Sequence, residues 1–263
     1  MSEAPAYFTD GQAYERSMGR WSRLVGDQFL DWLALPKGLR WLDVGCGNGA
    51  FTEAIIARTA PAGVSGVDPS EGQLAFARVR SGAKSAQFQT AVAQALPFPD
   101  DRFDAAVMAL VISFVPDPLQ AAREMARVVR PGGTVAAYMW DVPGGGLPMR
   151  PIYAVMDSMG VQVAALPGFD ASRLDRMRTV WEQAGLAAIE TRVIRIRVGF
   201  TSFDDFWESC AAHTGPISKT VAGLSQATRD ELKTKLRRDL PAGPHGRIVY
   251  EAFANAVKGQ VPA

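Results

Sequence analysis

The sequence predicts a doubly wound α/β domain, with helices on both faces of a mostly parallel sheet. Three observations carry this. Short apolar runs alternate with segments of helical period between residues 40 and 140. The first run ends in a glycine-rich turn, Gly45-Cys46-Gly47-Asn48-Gly49, that opens a helix. The composition, 48% hydrophobic and 21% charged over 263 residues, is that of a globular domain and too apolar for disorder.

A chain of this length buries a full core without disulfides or metals, as one large domain or one domain with a subdomain. Lys+Arg is 28 and Asp+Glu is 27, a net charge of +1. That balance argues against a nucleic-acid coat or a polybasic membrane binder. Cys46 and Cys210 form neither a CxxC pair nor a disulfide framework. The first residues include Glu3, Pro5 and Asp10 and no basic stretch leading into an apolar run, so no signal peptide is expected. The longest apolar stretch, 105–115, is broken by Ser113 and far too short for a membrane span. A cytoplasmic location is expected.

The elements follow in order. Residues 1–39 read as a helical segment, with Trp21, Leu24, Val25, Gln28, Phe29 and Trp32 forming a mostly apolar stripe that Pro36-Lys37-Gly38 ends. Residues 40–44 form a buried strand, and FTEAIIART after the glycines reads as a helix. Residues 63–68 are a second strand. Ser70 and Gln73 have the spacing of a capping box for a helix through Arg80. Residues 85–90 and 103–110 are the third and fourth strands. Asp117 is an N-cap with Pro118 at the favoured first position; Leu119, Ala122, Met125, Ala126 and Val129 give that helix one apolar face. Pro131-Gly132-Gly133 is expected to stop it before a fifth strand at 134–140. Helices are expected at 150–160 and 170–184, then a strand at 189–198 with Ile194, Ile196 and Val198 on one face and Arg195 and Arg197 on the other. Residues 202–240 read as a helical insertion, 241–246 as a turn and 247–257 as a last strand.

A GxGxxG/A match alone is weak. Here it follows a strand, opens a helix and has Asp68 at the end of the second strand, roughly twenty residues on. A carboxylate there can accept both ribose hydroxyl hydrogens. Such a site suits NAD and S-adenosylmethionine alike. Asp43 discriminates: it lies inside an apolar strand two residues before the first glycine, and a buried carboxylate needs a partner. An ammonium group supplies one, whereas a pyrophosphate is repelled; backbone N–H groups of the turn are the blander partner.

The run LDVGCGNGAFT, then VDPS, then QALPFPDDRFDAAVMALVISFVPDPLQAAREMARVVRPGGTVAAYMW resembles the class I S-adenosylmethionine-dependent methyltransferases, and within them the type 11, ubiquinone-biosynthesis-like small-molecule group. The motifs span about residues 40–140, and YERSMGRWSRLVGDQFLDWL resembles the group's leading helix. The resemblance implies a Rossmann-like sheet of seven strands with an antiparallel last hairpin. It divides the chain into an N-terminal helical segment covering the cofactor (1–39), a core (40–200 and 241–263) and a helical cap (201–240). It also implies the cofactor S-adenosylmethionine. Gly45 and Gly47 would line its methionine part, Asp68 its ribose, Pro69 its adenine edge. Met108 and Ala109 would offer carbonyls to its ammonium, and Tyr14 and Arg20 would close over it. In the segment Ala91-Val92-Ala93-Gln94, which would read adenine, Val92 replaces the usual acid, while the Ala93 N–H can still serve. Ile112-Ser113-Phe114-Val115 replaces a polar segment of many relatives and offers no general base.

Methyl transfer from a sulfonium needs alignment more than a base. Weak candidates for a reactive group are His213, three residues after Cys210, and Asp141, just past the fifth strand; His245 is expected to be solvated. No metal is expected, since Cys-x-x-His alone is a poor site. Phe200, Phe203, Phe206 and Trp207 read as core first and as a lid over substrate second. The expected partner is a small apolar or amphipathic methyl acceptor. Two rival readings stay open: an NAD(P)-dependent oxidoreductase, and a non-catalytic cofactor-binding partner subunit.

Overall fold

The computed structural model describes residues 18–211 and 215–263. A helix α1 (Arg20–Leu33) precedes β1 (Arg40–Val44), α2 (Ala50–Thr59), β2 (Gly63–Asp68), α3 (Glu71–Val79), β3 (Gln87–Thr90) and β4 (Phe103–Ala109). Then come α4 (Pro118–Val128), β5 (Val129–Trp140), α5 (Arg150–Ser158), α6 (Leu174–Gln183) and β6 (Ala187–Phe200). Helices α7 (Phe203–Ala211), α8 (Gly215–Gly223) and α9 (Gln226–Asp239) lead into β7 (Ile248–Gln260). The strands form one sheet in the order β3-β2-β1-β4-β5-β7-β6, with β7 antiparallel to both its neighbours and the rest parallel.

Alternation along the strands divides the core in two. Trp41, Ala105, Val107, Ala136, Tyr138 and Trp140 face one side, where they pack with Trp21, Val25 and Phe29 of α1. Leu42, Val44, Ala106, Met108, Val135 and Ala137 face the other, against Met125 of α4 and Met177 and Trp181 of α6. Both N-cap bonds form: Ser70 Oγ accepts the Gln73 N–H, and Asp117 accepts the Gln120 N–H with Pro118 in the first turn; the Ser70 N–H, the other half of the expected box, instead donates to Asp68 Oδ1.

Several element ends shift by a few residues, and two differences from expectation shape the frame. Pro131-Gly132-Gly133 does not separate helix from strand. The chain enters β5 at Val129, and the register shifts between Phe103↔Val129 and Ala105↔Thr134. The excursion folds because Gly132 takes φ +75° and donates to the Val261 carbonyl at 2.8 Å, while Gly133 has no room for a side chain beside Val129. The last hairpin is also longer than expected. Beyond the Trp140↔Ala254 pairing, β6 and β7 continue together to Phe200↔Ile248. This projecting arm carries α7–α9. Phe200, Phe206 and Trp207 are buried in the same core as α1, with Phe200 edge-on to Trp21 at 5.2 Å and to Phe206 at 5.1 Å. Arg195 and Arg197 are exposed, and Arg195 pairs with Glu251 across the hairpin. No helix among the described residues is long and apolar enough to cross a membrane.

Candidate functional site

Parallel pairing of Val44 with Val67 brings the ends of β1 and β2 side by side. The chain then turns sharply. The N–H groups of Gly45 and Cys46 both donate to the Val67 carbonyl, at 2.8 and 3.0 Å. The turn needs positive φ at Gly45 (+74°), Gly47 (+52°) and Gly49 (+79°), where an L side chain is strained. Space adds a second requirement at Gly45, where a Cβ would lie 2.5 Å from Val111 Cγ2. At Gly47 the Cβ direction is open, with only Gln73 Oε1 at 3.9 Å. The turn therefore packs on one side and presents a bare backbone on the other.

Asp68 braces this turn. Its Oδ2 accepts the Gly47 N–H at 2.9 Å and its Oδ1 accepts the Ser70 N–H at 2.8 Å. The residue stays partly exposed. Burial raises the carboxyl's pKa, opposed by the hydrogen bonds from Ser70 and Gly47. Each oxygen keeps acceptor capacity beyond its one backbone donor.

Asp43 is arranged otherwise. It is fully buried; its Oδ2 accepts the Thr52 hydroxyl at 2.7 Å, and its Oδ1 has no partner among the described residues. The glycine-turn N–H groups that were the bland partner instead bond Val67 and Asp68. Burial pushes the Asp43 pKa up to about 7, the Thr52 hydroxyl opposes it, and the Asp68 charge adds to it. An orphaned carboxylate oxygen under a bare glycine turn is an acceptor suited to a cation.

The remaining predicted residues divide into three groups. Met108 is buried and Ala109 half-buried at the end of β4, next to β1 in the sheet. The following Leu110 takes φ +62° and donates its N–H to the Tyr138 carbonyl at 2.8 Å, so β4 ends in a left-handed residue. On the β3 side, the Ala91 N–H donates to the Asp68 carbonyl at 3.2 Å, which fastens the 91–96 loop beside Asp68. Pro69 is exposed, Ala93 buried and Gln94 half-buried. Gly45, Gly47, Asp43, Asp68, Pro69, Ala93, Gln94, Met108 and Ala109 thus share the carboxyl edge around β1.

Arg20 and Asp141 are placed differently. The Arg20 guanidinium turns to the cap: Nη2 donates to Ser209 Oγ at 3.3 Å and lies 3.6 Å from Asp205 Oδ1, over the rings of Trp21 and Phe200. Asp141 accepts the Gly144 N–H at 2.8 Å, as a turn carboxylate does. It lines an open cleft of about 550 Å³ with Arg173, Arg178 and Thr191, on the β6 side of the sheet. Tyr14 and His213 lie outside the described residues. Thr52 and Leu110 were not singled out from sequence; the signal for Thr52 was its presence in the GCGNGAFT run without an assigned task.

Residues 42–137 match the family model described as a methyltransferase domain. Demethylmenaquinone methyltransferase of Bacillus licheniformis is 37% identical over 119 residues, 44% of this chain and 51% of that protein. The chain spans about half, or less, of the length of the curated relatives it matches. Among solved structures, the YcgJ protein of Bacillus subtilis is similar over 92% of this chain and 99% of its own, with a TM-score of 0.60 at 19% identity. Phosphoethanolamine N-methyltransferase 2 of Haemonchus contortus, solved with phosphomonomethylethanolamine and S-adenosylhomocysteine, is similar over 96% of this chain and 57% of its own, with a TM-score of 0.59 at 19% identity. The seven-stranded sheet with its antiparallel last hairpin is the fold these structures share with the chain.

Proposed function

We propose that this chain, whose residues 42–137 match the methyltransferase domain model, is an S-adenosylmethionine-dependent methyltransferase acting on a small apolar or amphipathic molecule. The observation that carries the reading is Asp43, a buried carboxylate with one oxygen unpaired among the described residues, beneath a glycine turn whose outer side is open. That combination suits a ligand with an ammonium group near the turn and a ribose at Asp68. It disfavours a dinucleotide, whose pyrophosphate would lie near the same negative charge.

In this reading the cofactor, when bound, supplies an electrophilic methyl group on a sulfonium. The chain supplies the rest. Gly45 and Gly47 let the backbone approach closely, Asp68 accepts from the sugar hydroxyls, and the carbonyls of Met108 and Ala109 face the ammonium. Pro69, Ala93 and Gln94 border the base. Val111 and Phe114, half-buried just past β4, bring apolar side chains there with no carboxylate or imidazole beside them in the 111–115 segment, which favours an apolar acceptor. Alignment alone is worth about 7–11 kcal/mol of barrier, so no base is required. Arg20 is assigned to holding the cap rather than to the cofactor, and the helical region 201–240 to covering the acceptor. The demethylmenaquinone methyltransferase among the relatives supports an apolar or amphipathic small molecule. Both cysteines are free and buried, which fits a reducing compartment, and the cytoplasm is the proposed location.

Calorimetry with S-adenosylhomocysteine tests the site, and transfer of a labelled methyl group into small-molecule pools tests the activity. Binding of NADH in place of S-adenosylhomocysteine would overturn the reading. Cofactor binding with no transfer to any pool would favour a non-catalytic subunit.

A further inference from the structure

The loop that borders the proposed base site contains no acceptor committed to an exocyclic amine. It begins at Ala91, held by the Asp68 carbonyl, and closes through Ala95 N–H to the Val92 carbonyl at 3.1 Å. At its tip Val92 is 41% exposed, one of few large apolar side chains so open among the described residues. Three carboxylates near the loop, Glu71, Glu124 and Asp100, are engaged. Glu71 holds Arg78 and the Thr90 hydroxyl of β3. Glu124 holds the Leu96 N–H and Arg127, and Asp100 holds Arg127. Asp68 accepts from Gly47 and Ser70, and the cofactor reading gives its remaining capacity to the sugar. What stays unpaired on the loop, among the described residues, is the Ala93 N–H and the Gln94 carboxamide.

From this we infer that the nucleobase site is apolar at the 6-position of the purine: it holds the ring by shape and by the Ala93 N–H, and does not read the 6-amino hydrogens. The inference rests on the cofactor reading above. A base beyond a ribose on Asp68 lies over the next backbone fastened there, which is this loop. An N–H donor such as Ala93 meets a ring nitrogen, and methylating the amine leaves that acceptor in place. The exposed Val92 isopropyl group meets a methylated amine as well as a free one. The Gln94 carboxamide can turn either its oxygen or its NH2 toward the base, so it sets no single preference. A carboxylate in place of Val92 would accept a 6-amino hydrogen with a charge-assisted bond, and that is the contact this chain lacks.

The test is calorimetric binding of S-adenosylhomocysteine and of its N6,N6-dimethyl derivative to the full chain and to Val92→Asp. The expected result for the unchanged chain is affinities within about threefold of each other. Val92→Asp, on an exposed position, should tighten the parent compound about tenfold, the return of one hydrogen bond to a charged group, and leave the dimethyl derivative unimproved. Discrimination of more than about tenfold against the dimethyl compound by the unchanged chain overturns the inference and leaves the cofactor reading standing. So does an equal response of both compounds to Val92→Asp. Failure of the unchanged chain to bind either compound overturns both.

Discussion

Replacing Asp43 by asparagine removes a charge and keeps the shape, and the structure says what that should do. The side chain is fully buried, Thr52 donates to one oxygen, and the other has no partner among the described residues. The folded pKa of about 7 lies above the ordinary 3.8. Folding therefore favours the protonated acid. Below about pH 4 the group is protonated in both states and costs nothing. As pH rises from there to 7, the unfolded chain ionises first and the ligand-free protein loses stability; above 7 the loss is complete. Three pKa units correspond to roughly 4 kcal/mol as an upper figure. The amide in Asp43→Asn cannot ionise, so the variant should gain on the parent chain as pH rises from 4 to 8, by up to that amount. Ligand binding should run the other way. If an ammonium group is attracted by the ionised carboxylate, affinity for S-adenosylhomocysteine should climb about tenfold per pH unit below 7 and level off above it. A proton should be released on binding at pH 6, and Asp43→Asn should abolish both effects. Urea denaturation across pH 4–8 and calorimetry in buffers of different ionisation heat measure these. Parallel stability curves for the two proteins, or equal affinities at pH 8, would refute the assignment of Asp43 as an orphaned charge waiting for a cation.

Other substitutions probe the surrounding frame. Asp68→Ala removes the brace on the Gly47 and Ser70 N–H groups together with the proposed sugar contact, and should weaken S-adenosylhomocysteine at least tenfold by calorimetry, about 1.4 kcal/mol. Gly45→Ala faces both φ +74° and a clash with Val111, and should lower stability by about 1–3 kcal/mol in chemical denaturation. Phe206→Ala empties a fully buried site between the arm and the cap helices and should cost about 3–5 kcal/mol by the same measure. Arg20→Met keeps much of the stem over Trp21 and Phe200 but drops Ser209 and Asp205; protease cutting within 201–240 should quicken while cofactor affinity stays within about twofold.

The strands nearest the site were the most legible. β1 and β2 run over the expected residues because each is a short apolar run closed by glycine or by Asp68, and both lie inside the sheet with a neighbour on either side. The caps at Ser70 and Asp117 are local signals, resolved within three residues, and they form. What escaped was long-range. Pro131-Gly132-Gly133 carries the composition of a stop, yet a pairing with Val261 at the far end of the chain draws it into the sheet. The extra length of the β6–β7 arm depends on α1 and α7 packing against it. Arg20 looks like an exposed helix residue until Asp205 and Ser209 arrive from almost two hundred residues away. Asp43 was legible as a buried charge, but its unpaired oxygen was not, because the N–H groups that would have met it are taken up by Val67 and Asp68.

The two carboxylates of the glycine turn are chemically alike and stand on neighbouring strands, and burial raises the pKa of both, yet the fold partners them differently. Asp68 stands partly exposed at the end of β2, where two backbone N–H groups oppose the upward pull of burial on its pKa and leave it capacity to accept further donors. Asp43 stands inside β1, one side chain deeper, where among the described residues only Thr52 reaches it. The difference comes from position along parallel strands in register: Asp43 pairs with Gly66, two residues short of Asp68. Moving Thr52 out of reach should therefore act directly on Asp43. Thr52→Val keeps the volume and removes the lone donor, so the Asp43 pKa should rise further and the pH at which cofactor affinity levels off should rise with it. Asp68, with both its donors intact, should respond only through its charge coupling to Asp43. An affinity profile that stays in place in Thr52→Val, with the protein folded, would mean that some group other than Asp43 sets the pH dependence of the site.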